Sequence, residues 1–114
     1  MNNQVGIMNI FIAQKMTGLT DEQVESTRNK IIELCKEKYG DDAIILDQFH
    51  LPDDVPKDVS DKHSEGIYLL GRSLQILAKA DIVVFAPDYN NSKGSLIEEK
   101  VCEIYGIPHE YVNF

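Results

Sequence analysis

The sequence predicts an α/β fold with a mainly parallel sheet of four or five strands. Short apolar runs of strand length alternate with longer segments in which apolar residues recur at helical spacing. Gly, Pro, Asn or Asp residues follow these runs, which is typical of turns between elements. Strands that alternate with helices imply right-handed crossovers, so the strands run parallel and are covered on both faces.

The first half of the chain predicts the order strand, helix, strand. Residues 7–13 are almost entirely apolar and predict a buried strand. Thr20 suits an N-cap before an acidic first turn, and the helical apolar spacing that follows predicts a helix over residues 21–39, ended by Gly40. Residues 43–47 form a second apolar run and predict a second buried strand.

The second half predicts helix, strand, helix, strand after a long loop. Residues 48–63 carry no periodic apolar pattern and are too many for a simple connector. Helical spacing returns over 67–80, and 81–86 is the clearest buried strand. A turn leads to a helix over about 94–105 and a short strand at 110–112. The apolar side of that last helix is expected to consist of Leu96, Ile97, Val101 and Ile104.

These elements predict one domain over residues 1–114, a small doubly wound three-layer fold of the flavodoxin or Rossmann type. The length and a hydrophobic content of 43% suffice for one core. In such folds a ligand binds beyond the carboxyl ends of the strands, at a topological switch point. The loops at 14–20, 48–66 and 87–93 are therefore expected to surround a site.

Charge and targeting signals restrict the partners. With 19 acidic and 11 basic residues the net charge is −8, which disfavours duplex nucleic acid but leaves room for a small phosphorylated ligand held by backbone amides. The chain shows neither a signal-peptide pattern nor an apolar run of membrane-span length, so we expect a cytoplasmic protein with no membrane partner.

The cysteines and histidines indicate no metal or redox site. Cys35 and Cys102 lie far apart in predicted helices and are expected to be reduced core thiols. His50, His63 and His109 have no zinc-site spacing. We predict no metal and no cofactor.

The start of the last helix has the features of an anion site. Ser92, Gly94 and Ser95 form a turn that opens the helix, and free amides with two hydroxyls could hold a 5′-phosphate. Glu98 would then lie in the first turn. The alternative is a capping box, in which Ser95 is the N-cap and Glu98 bonds the N-cap amide. Spacing alone leaves both interpretations open.

Three segments together resemble the nucleoside 2-deoxyribosyltransferase-like family. They are NIFIAQKMTG at residues 9–18, LGRSL at 70–74, and residues 80–108 with their Ser-x-Gly-x-x-x-Glu core and closing Tyr-Gly-Ile-Pro. The resemblance covers nearly the whole chain except the loop 48–66. It implies cleavage of the N-glycosidic bond of a nucleoside or nucleoside 5′-monophosphate.

In that family a glutamate at the position of Glu98 attacks the anomeric carbon, and the glycosyl-enzyme passes its sugar to a base or to water. Relatives that hydrolyse monophosphates carry a serine matching Ser92, whereas the transferases tend to carry an acid there. The resemblance therefore implies Glu98 as the catalytic residue and favours a nucleotide. The residues expected to bind substrate are Phe11, Gln14, Met16, Gly18, Ser73, Asp88, Ser92, Gly94 and Ser95.

The chain departs from the family pattern at two positions. Phe11 replaces a tyrosine whose hydroxyl bonds the nucleophile, and phenylalanine has no donor. Ser73 stands where an aspartate would protonate the leaving base, and serine is a poor acid near neutral pH. Asp88 and His63 are the candidate replacements, although a turn aspartate that bonds local backbone and a solvated loop histidine are the alternatives.

Two other charged features have open interpretations. Arg72 either reaches a phosphate or pairs with surface acids. The acidic residues of the long loop are most simply solvated. They are Asp53, Asp54, Asp58 and Asp61.

The sequence therefore supports an enzyme and two rivals. One rival is a non-catalytic nucleotide-binding protein, a sensor or a sequestering protein, and the other is a structural protein that keeps only the fold. Small members of the family associate and can borrow residues from a neighbouring subunit, so a homo-oligomer is also expected. The tail at 111–114 could reach such a neighbour or could be a simple edge strand.

Overall fold

The computed structural model of the chain describes residues 6–49, 55–60 and 64–114. The strands are β1 (Asn9–Ala13), β2 (Ile44–Leu46), β3 (Ile82–Phe85) and β4 (His109–Tyr111). The helices are α1 (Asp21–Tyr39), α2 (Lys57–Ser60), α3 (Glu65–Leu77) and α4 (Lys93–Tyr105). A short 3-10 turn, Tyr89–Asn91, lies between β3 and α4.

The described strands form a four-stranded sheet in the order β2-β1-β3-β4, with every pair parallel. Phe11 of β1 lies opposite Leu46 of β2 and Val83 of β3. The chain moves from β1 outward to β2, then crosses back to β3 on the other side of β1. This topology confirms the predicted α/β doubly wound fold, and it places the switch point between β1 and β3.

Alternating residues of β1 divide the core into two layers, because successive side chains of a strand point to opposite faces. Ile10 and Ile12 pack in the layer that contains α1 residues Ile31 and Cys35. Phe11 and Ala13 belong to the opposite layer, which contains Leu77 of α3 and Cys102 of α4. The sheet is therefore covered by α1 on one face and by α3 and α4 on the other.

The boundaries of α1 are those predicted from the sequence. The Thr20 hydroxyl accepts a hydrogen bond from the Gln23 amide at 3.1 Å, while the Gln23 side chain accepts one from the Thr20 amide at 2.9 Å. This capping box satisfies two amides that the helix leaves free. Gly40 ends the helix at φ 105°, a conformation that disfavours other residues.

Two predictions for the middle of the chain were wrong. Residues 43–47 were expected to be a buried strand, but β2 lies at the edge of the sheet and Ile44 is exposed. The region expected to be a loop without structure contains the short helix α2, whose four residues are too few to show a period. Helix α3 begins at Glu65 and ends at Leu77, slightly ahead of the predicted span.

The predicted apolar side of α4 was wrong for three of its four residues, since only Val101 packs against the core. Leu96 and Ile97 are 43% and 45% exposed, and Ile104 is 70% exposed. The buried residues of the helix are Ser95, Glu98 and Cys102. The spacing of apolar residues predicted the wrong buried face of α4, because the helix turns the polar side chains of Ser95 and Glu98 toward the sheet.

The two cysteines are free and buried, as the sequence predicted. Among the described residues, no group of three or more His, Cys, Asp or Glu side chains is arranged to hold a metal ion. No helix within the described ranges is both long and apolar enough to cross a membrane.

Candidate functional site

The site is built where the carboxyl ends of β1 and β3 meet the start of α4. Gln14 follows β1 directly, Asp88 lies in the turn after β3, and Ser92 precedes α4. Because α4 follows β3 and returns antiparallel to the strands, its first turns lie at the carboxyl edge of the sheet. The predicted loops 14–20 and 87–93 therefore meet at this edge.

Ser92 is the N-cap of α4. Its backbone is extended, at φ −123° and ψ 120°, and its hydroxyl accepts a hydrogen bond from the Ser95 amide at 3.2 Å. The proposed capping box of Ser95 with Glu98 was therefore wrong, since Ser95 lies inside the helix. Gly94 is also helical, and an added Cβ would approach Leu70 no closer than 3.8 Å. The glycine is thus not required by local crowding.

Ser95, Glu98 and Cys102 lie on one face of α4, because positions three or four residues apart stack along a helix. Ser95 is only 1% exposed and Glu98 is 6% exposed. Glu98 lies in the second turn of α4, one turn deeper than expected, because the helix begins at Lys93. From the carboxyl edge of the sheet inward, this face of α4 carries the Ser95 hydroxyl, then the Glu98 carboxyl, then the Cys102 thiol.

Both polar groups on this face are unpaired within the described part of the chain. The Ser95 hydroxyl is buried without a hydrogen-bond partner. Glu98 forms no hydrogen bond or ion pair with a described residue. Buried polar groups are usually paired in native proteins, so unpaired ones at a sheet edge mark a candidate ligand site.

The electrostatics of Glu98 follow from its burial. Removal from water disfavours the charged form and raises the pKa of the carboxyl from 4.5 to about 8. Burial is the only cause of this shift among the described residues, none of which places a cation beside the carboxylate. Near neutral pH the carboxyl is therefore predominantly protonated.

Phe11 and Ser73 occupy the positions that the family resemblance assigned to a hydroxyl donor and an acid. Phe11 is completely buried, in the same core layer as Cys102, one turn beyond Glu98. Ser73 lies half-buried on α3, one turn before Leu77, which belongs to that layer too. Both residues thus lie on the α3 and α4 face of the sheet, and neither is an ionisable acid.

Hydrogen bonds fix the loop after β1. The buried Gln14 amide donates from Nε2 to the Val24 carbonyl of α1 at 3.1 Å, whereas its Oε1 has no partner. The carboxylate of Asp88 accepts from the Lys15 amide at 3.5 Å. Asp88 therefore links two loops of the site, rather than bonding its own turn as the alternative interpretation held.

Met16 and Gly18 form a turn in this same loop. The Met16 carbonyl accepts from the Leu19 amide at 3.1 Å, and Gly18 has a φ of 82°. The left-handed backbone at Gly18 favours glycine. Met16 is half-buried and Gly18 is exposed, so this turn forms the outer rim of the candidate site.

A cluster of polar side chains beside β2, of which Arg28 is buried, Gln48 half-buried and Asp47 exposed, was not predicted. Arg28 is 4% exposed and donates from Nη2 to the Leu46 carbonyl at 3.0 Å, while Asp47 lies 3.8 Å away. Gln48 donates to the Ile12 carbonyl at 2.7 Å, beyond the end of β2. Burial lowers the pKa of Arg28.

This cluster anchors the start of the long loop, and within the described ranges Arg28 Nη1 and Gln48 Oε1 have no hydrogen-bond partner. The sequence did contain a signal for Arg28. It stands at helical spacing between Val24 and Ile31 on the buried stripe of α1. An arginine in such a stripe indicates a buried polar contact.

Two grooves lie away from Glu98. One, of about 670 Å³, runs between α1 and the end of β4, where Lys38 and Glu110 form an ion pair at 2.6 Å. The other, of about 290 Å³, is lined in part by Tyr89 and Tyr111. Tyr111 donates to the Glu99 carboxylate at 2.6 Å and thereby ties β4 to α4.

Of the other charged residues considered from the sequence, four lie outside the described residues: His63, Asp53, Asp54 and Asp61. Asp58 lies in α2. Arg72 is half-buried on α3, beside Ser73.

Comparisons of the chain with family models, with curated proteins and with solved structures find no match. The resemblance to nucleoside 2-deoxyribosyltransferase-like proteins is therefore untested by them and stays a prediction.

Proposed function

We propose that this protein binds a nucleoside or nucleoside 5′-monophosphate at the carboxyl edge of its sheet and cleaves the N-glycosidic bond, with Glu98 as the nucleophile. The observation that carries the proposal is the buried, unpaired carboxyl of Glu98 one turn inside a helix that starts at this edge. A buried carboxyl without a partner lowers the stability of the folded protein, and such groups are found most often at functional sites.

The start of α4 supports the phosphate part of the proposal. Amides of the first helical turn carry partial positive charge, and they suit an anion without any basic side chain. The unpaired hydroxyl of Ser95 adds a donor that points along the same buried face. Ser92 already holds one amide through its side chain, so it both caps the helix and lies next to the proposed phosphate.

The reaction would use two steps at the anomeric carbon. Glu98 in its ionised form, which its raised pKa makes the minor form near neutral pH, attacks C1′ as the base leaves, and water or a second base then releases the sugar. Asp88, on the loop that meets the β1 loop at this edge, would orient the sugar, whereas the Gln14 side chain is bonded to the Val24 carbonyl on the α1 face of the sheet. Met16 and Gly18, in the turn of the loop after β1, would form the outer edge of this site.

The second candidate function is binding without turnover, as in a nucleotide sensor or a sequestering protein. Phe11 and Ser73 favour it, since the first offers Glu98 no donor and the second is not an acid. It predicts that nucleotides raise the unfolding temperature without any release of base.

We further propose that two or more copies associate through α3 and α4. Ile67 of α3 and Ile104 of α4 are 74% and 70% exposed, and Leu96 and Ile97 add to the apolar surface. Exposed apolar surface on a folded protein is where a partner copy can gain buried area. Association through these helices would also bring a neighbouring chain close to the site.

Incubation with a panel of nucleosides and their 5′-monophosphates, with and without free acceptor bases, tests the proposal. Chromatography then measures released or exchanged base. We expect release that is lost in Glu98→Ala and kept in the matched control Glu103→Ala, an exposed position on the same helix. Full release by Glu98→Ala would exclude the nucleophile, and thermal shifts without release would favour the binding protein.

A further inference from the structure

Three polar side chains converge at the carboxyl ends of β1 and β2, on the face of the sheet that α1 covers. Gln14 directly follows β1, Arg28 lies on α1, and Gln48 lies two residues beyond the end of β2. Gln14 and Arg28 are only 6% and 4% exposed, and Gln48 is half-buried. We call these three residues the Arg28 site.

Hydrogen bonds hold Gln14 and Arg28 in the same layer. Gln14 donates from Nε2 to the Val24 carbonyl at 3.1 Å, and Val24 lies one helical turn before Arg28. Arg28 donates from Nη2 to the Leu46 carbonyl at 3.0 Å, at the end of β2. Both side chains therefore lie between the first turns of α1 and the carboxyl edge of the sheet.

Gln48 reaches the same place from the other strand. Its Nε2 donates to the Ile12 carbonyl at 2.7 Å, and Phe11, the residue before Ile12, lies opposite Leu46. The carbonyls of Ile12 and Leu46 are therefore neighbours at the end of the paired strands. Gln14 follows Ile12 by two residues, which places both on the same face.

Each of the three side chains keeps one buried polar atom without a hydrogen-bond partner in the described part of the chain. These atoms are Gln14 Oε1, Arg28 Nη1 and Gln48 Oε1. Because each glutamine donates from Nε2 to a carbonyl, its remaining atom must be the oxygen. The site therefore offers one donor atom and two acceptor atoms. Buried polar atoms are usually paired in native proteins, so this set indicates a ligand that accepts at one atom and donates twice.

The charges around the site favour a neutral ligand. The guanidinium of Arg28 repels a cation. Both glutamine oxygens carry partial negative charge, and the Asp47 carboxylate lies 3.8 Å from Arg28 Nη2, so an anion is also disfavoured. A primary carboxamide is neutral and has the required complement, since its oxygen accepts while its NH2 group donates two hydrogen bonds.

We propose that the Arg28 site binds the primary carboxamide group of a small molecule. The carboxamide oxygen accepts from Arg28 Nη1, and its two N–H groups donate to the oxygens of Gln14 and Gln48. Asp47 is exposed and Gln48 is half-buried, so the ligand enters from the end of β2. Glu98 lies on the opposite face of the sheet, and the inference does not depend on the proposed function.

The first test follows the side-chain amide signals of Gln14 and Gln48 by NMR while acetamide is added to the wild-type protein. We expect saturable shifts of both signals. N,N-dimethylacetamide has no N–H donor and acetate is a charged acceptor, so both are expected to leave the two signals unchanged. No response to acetamide, or equal responses to all three compounds, would overturn the inference.

The second test is Arg28→Lys, which keeps the charge and a donor for the Leu46 carbonyl but removes the fork that carries Nη1. We expect it to weaken acetamide binding by about tenfold or more, the usual effect of losing a hydrogen bond to a charged group. Arg72→Lys makes the same substitution on α3, on the other face of the sheet, and is expected to bind as the wild type does. Unchanged binding by Arg28→Lys would overturn the role of Nη1.

A crystal structure grown with acetamide separates a ligand site from a hydration site. Acetamide bonded to all three atoms supports the inference. A single ordered water bonded to them in the presence of acetamide would overturn it, because one water can also accept once and donate twice. The titration and the crystal structure use the wild-type protein, so they decide the inference even if Arg28→Lys does not fold.

Discussion

Replacement of Glu98 by glutamine is expected to stabilise the protein near neutral pH. Burial raises the pKa of this carboxyl to about 8 in the folded protein, whereas the unfolded chain titrates near the ordinary value of 4.5. Because the folded value is the higher one, stability is fully present below the unfolded pKa and is lost as pH rises toward the folded pKa. Glutamine has nothing to ionise and escapes this loss.

The size of the effect follows from the two pKa values. Each pH unit above the unfolded pKa costs about 1.4 kcal/mol, so the wild type loses roughly 3 kcal/mol at about pH 7 through this group. The amide of glutamine is buried in the same place and costs about 1 kcal/mol if it finds no partner. The net gain of Glu98→Gln at about pH 7 is then roughly 2 kcal/mol.

Urea unfolding of both proteins across this pH range measures the gain. We expect the difference in unfolding free energy between Glu98→Gln and wild type to grow by roughly 3 kcal/mol between about pH 4.5 and about pH 7. Glu103→Gln removes an exposed carboxyl that lies 3.3 Å from Lys100, and its difference is expected to stay below about 1 kcal/mol. A difference for Glu98→Gln that is independent of pH would refute the burial argument.

Three further variants test other parts of the structure. Ser92→Ala removes the cap of α4 and is expected to lower the unfolding free energy by about 1 kcal/mol in urea, and to reduce the thermal shift given by 5′-monophosphates more than that given by nucleosides. Phe11→Tyr places a phenol in the layer of Glu98 and is expected to lower the pKa of that carboxyl by donating to it; an unchanged NMR titration would show that the two groups do not meet. Ile104→Glu puts a charge on the exposed face of α4 and is expected to reduce the mass measured by sedimentation; an unaltered mass would place any association elsewhere.

The fold was predictable because its strongest local signals agree with its topology. β1 and β3 are buried on both faces and appear as continuous apolar runs, and Thr20 with Gln23 marks the start of α1. Edge strands are harder to assign, since β2 is short and partly exposed. The four residues of α2 carry no period at all.

For the candidate site, the sequence predicted the turn that opens α4 but not the burial of Glu98. Spacing placed a Ser and Gly turn at the head of α4, where the structure places Ser92 as N-cap. The spacing of apolar residues could not show that Glu98 faces the core. Leu96 and Ile97 have the spacing of a buried face, but both side chains are exposed. Whether a carboxyl is buried depends on which face of the helix the sheet contacts, and only the assembled layers decide this.

The central place of β1 in the sheet restricts how the chain can fold as it is synthesised. β1 pairs with β2 from the first half of the chain, but its other partner, β3, lies some seventy residues further along, as shown by the pairing of Phe11 with Val83. Until β3 and α4 have emerged from the ribosome, one edge of β1 has no strand partner, and Phe11 and Ala13 have no α4 to cover them. We therefore expect nascent chains that end before α4 to depend on the ribosome surface or on chaperones for protection, and to become resistant to protease once β3 and α4 are both available.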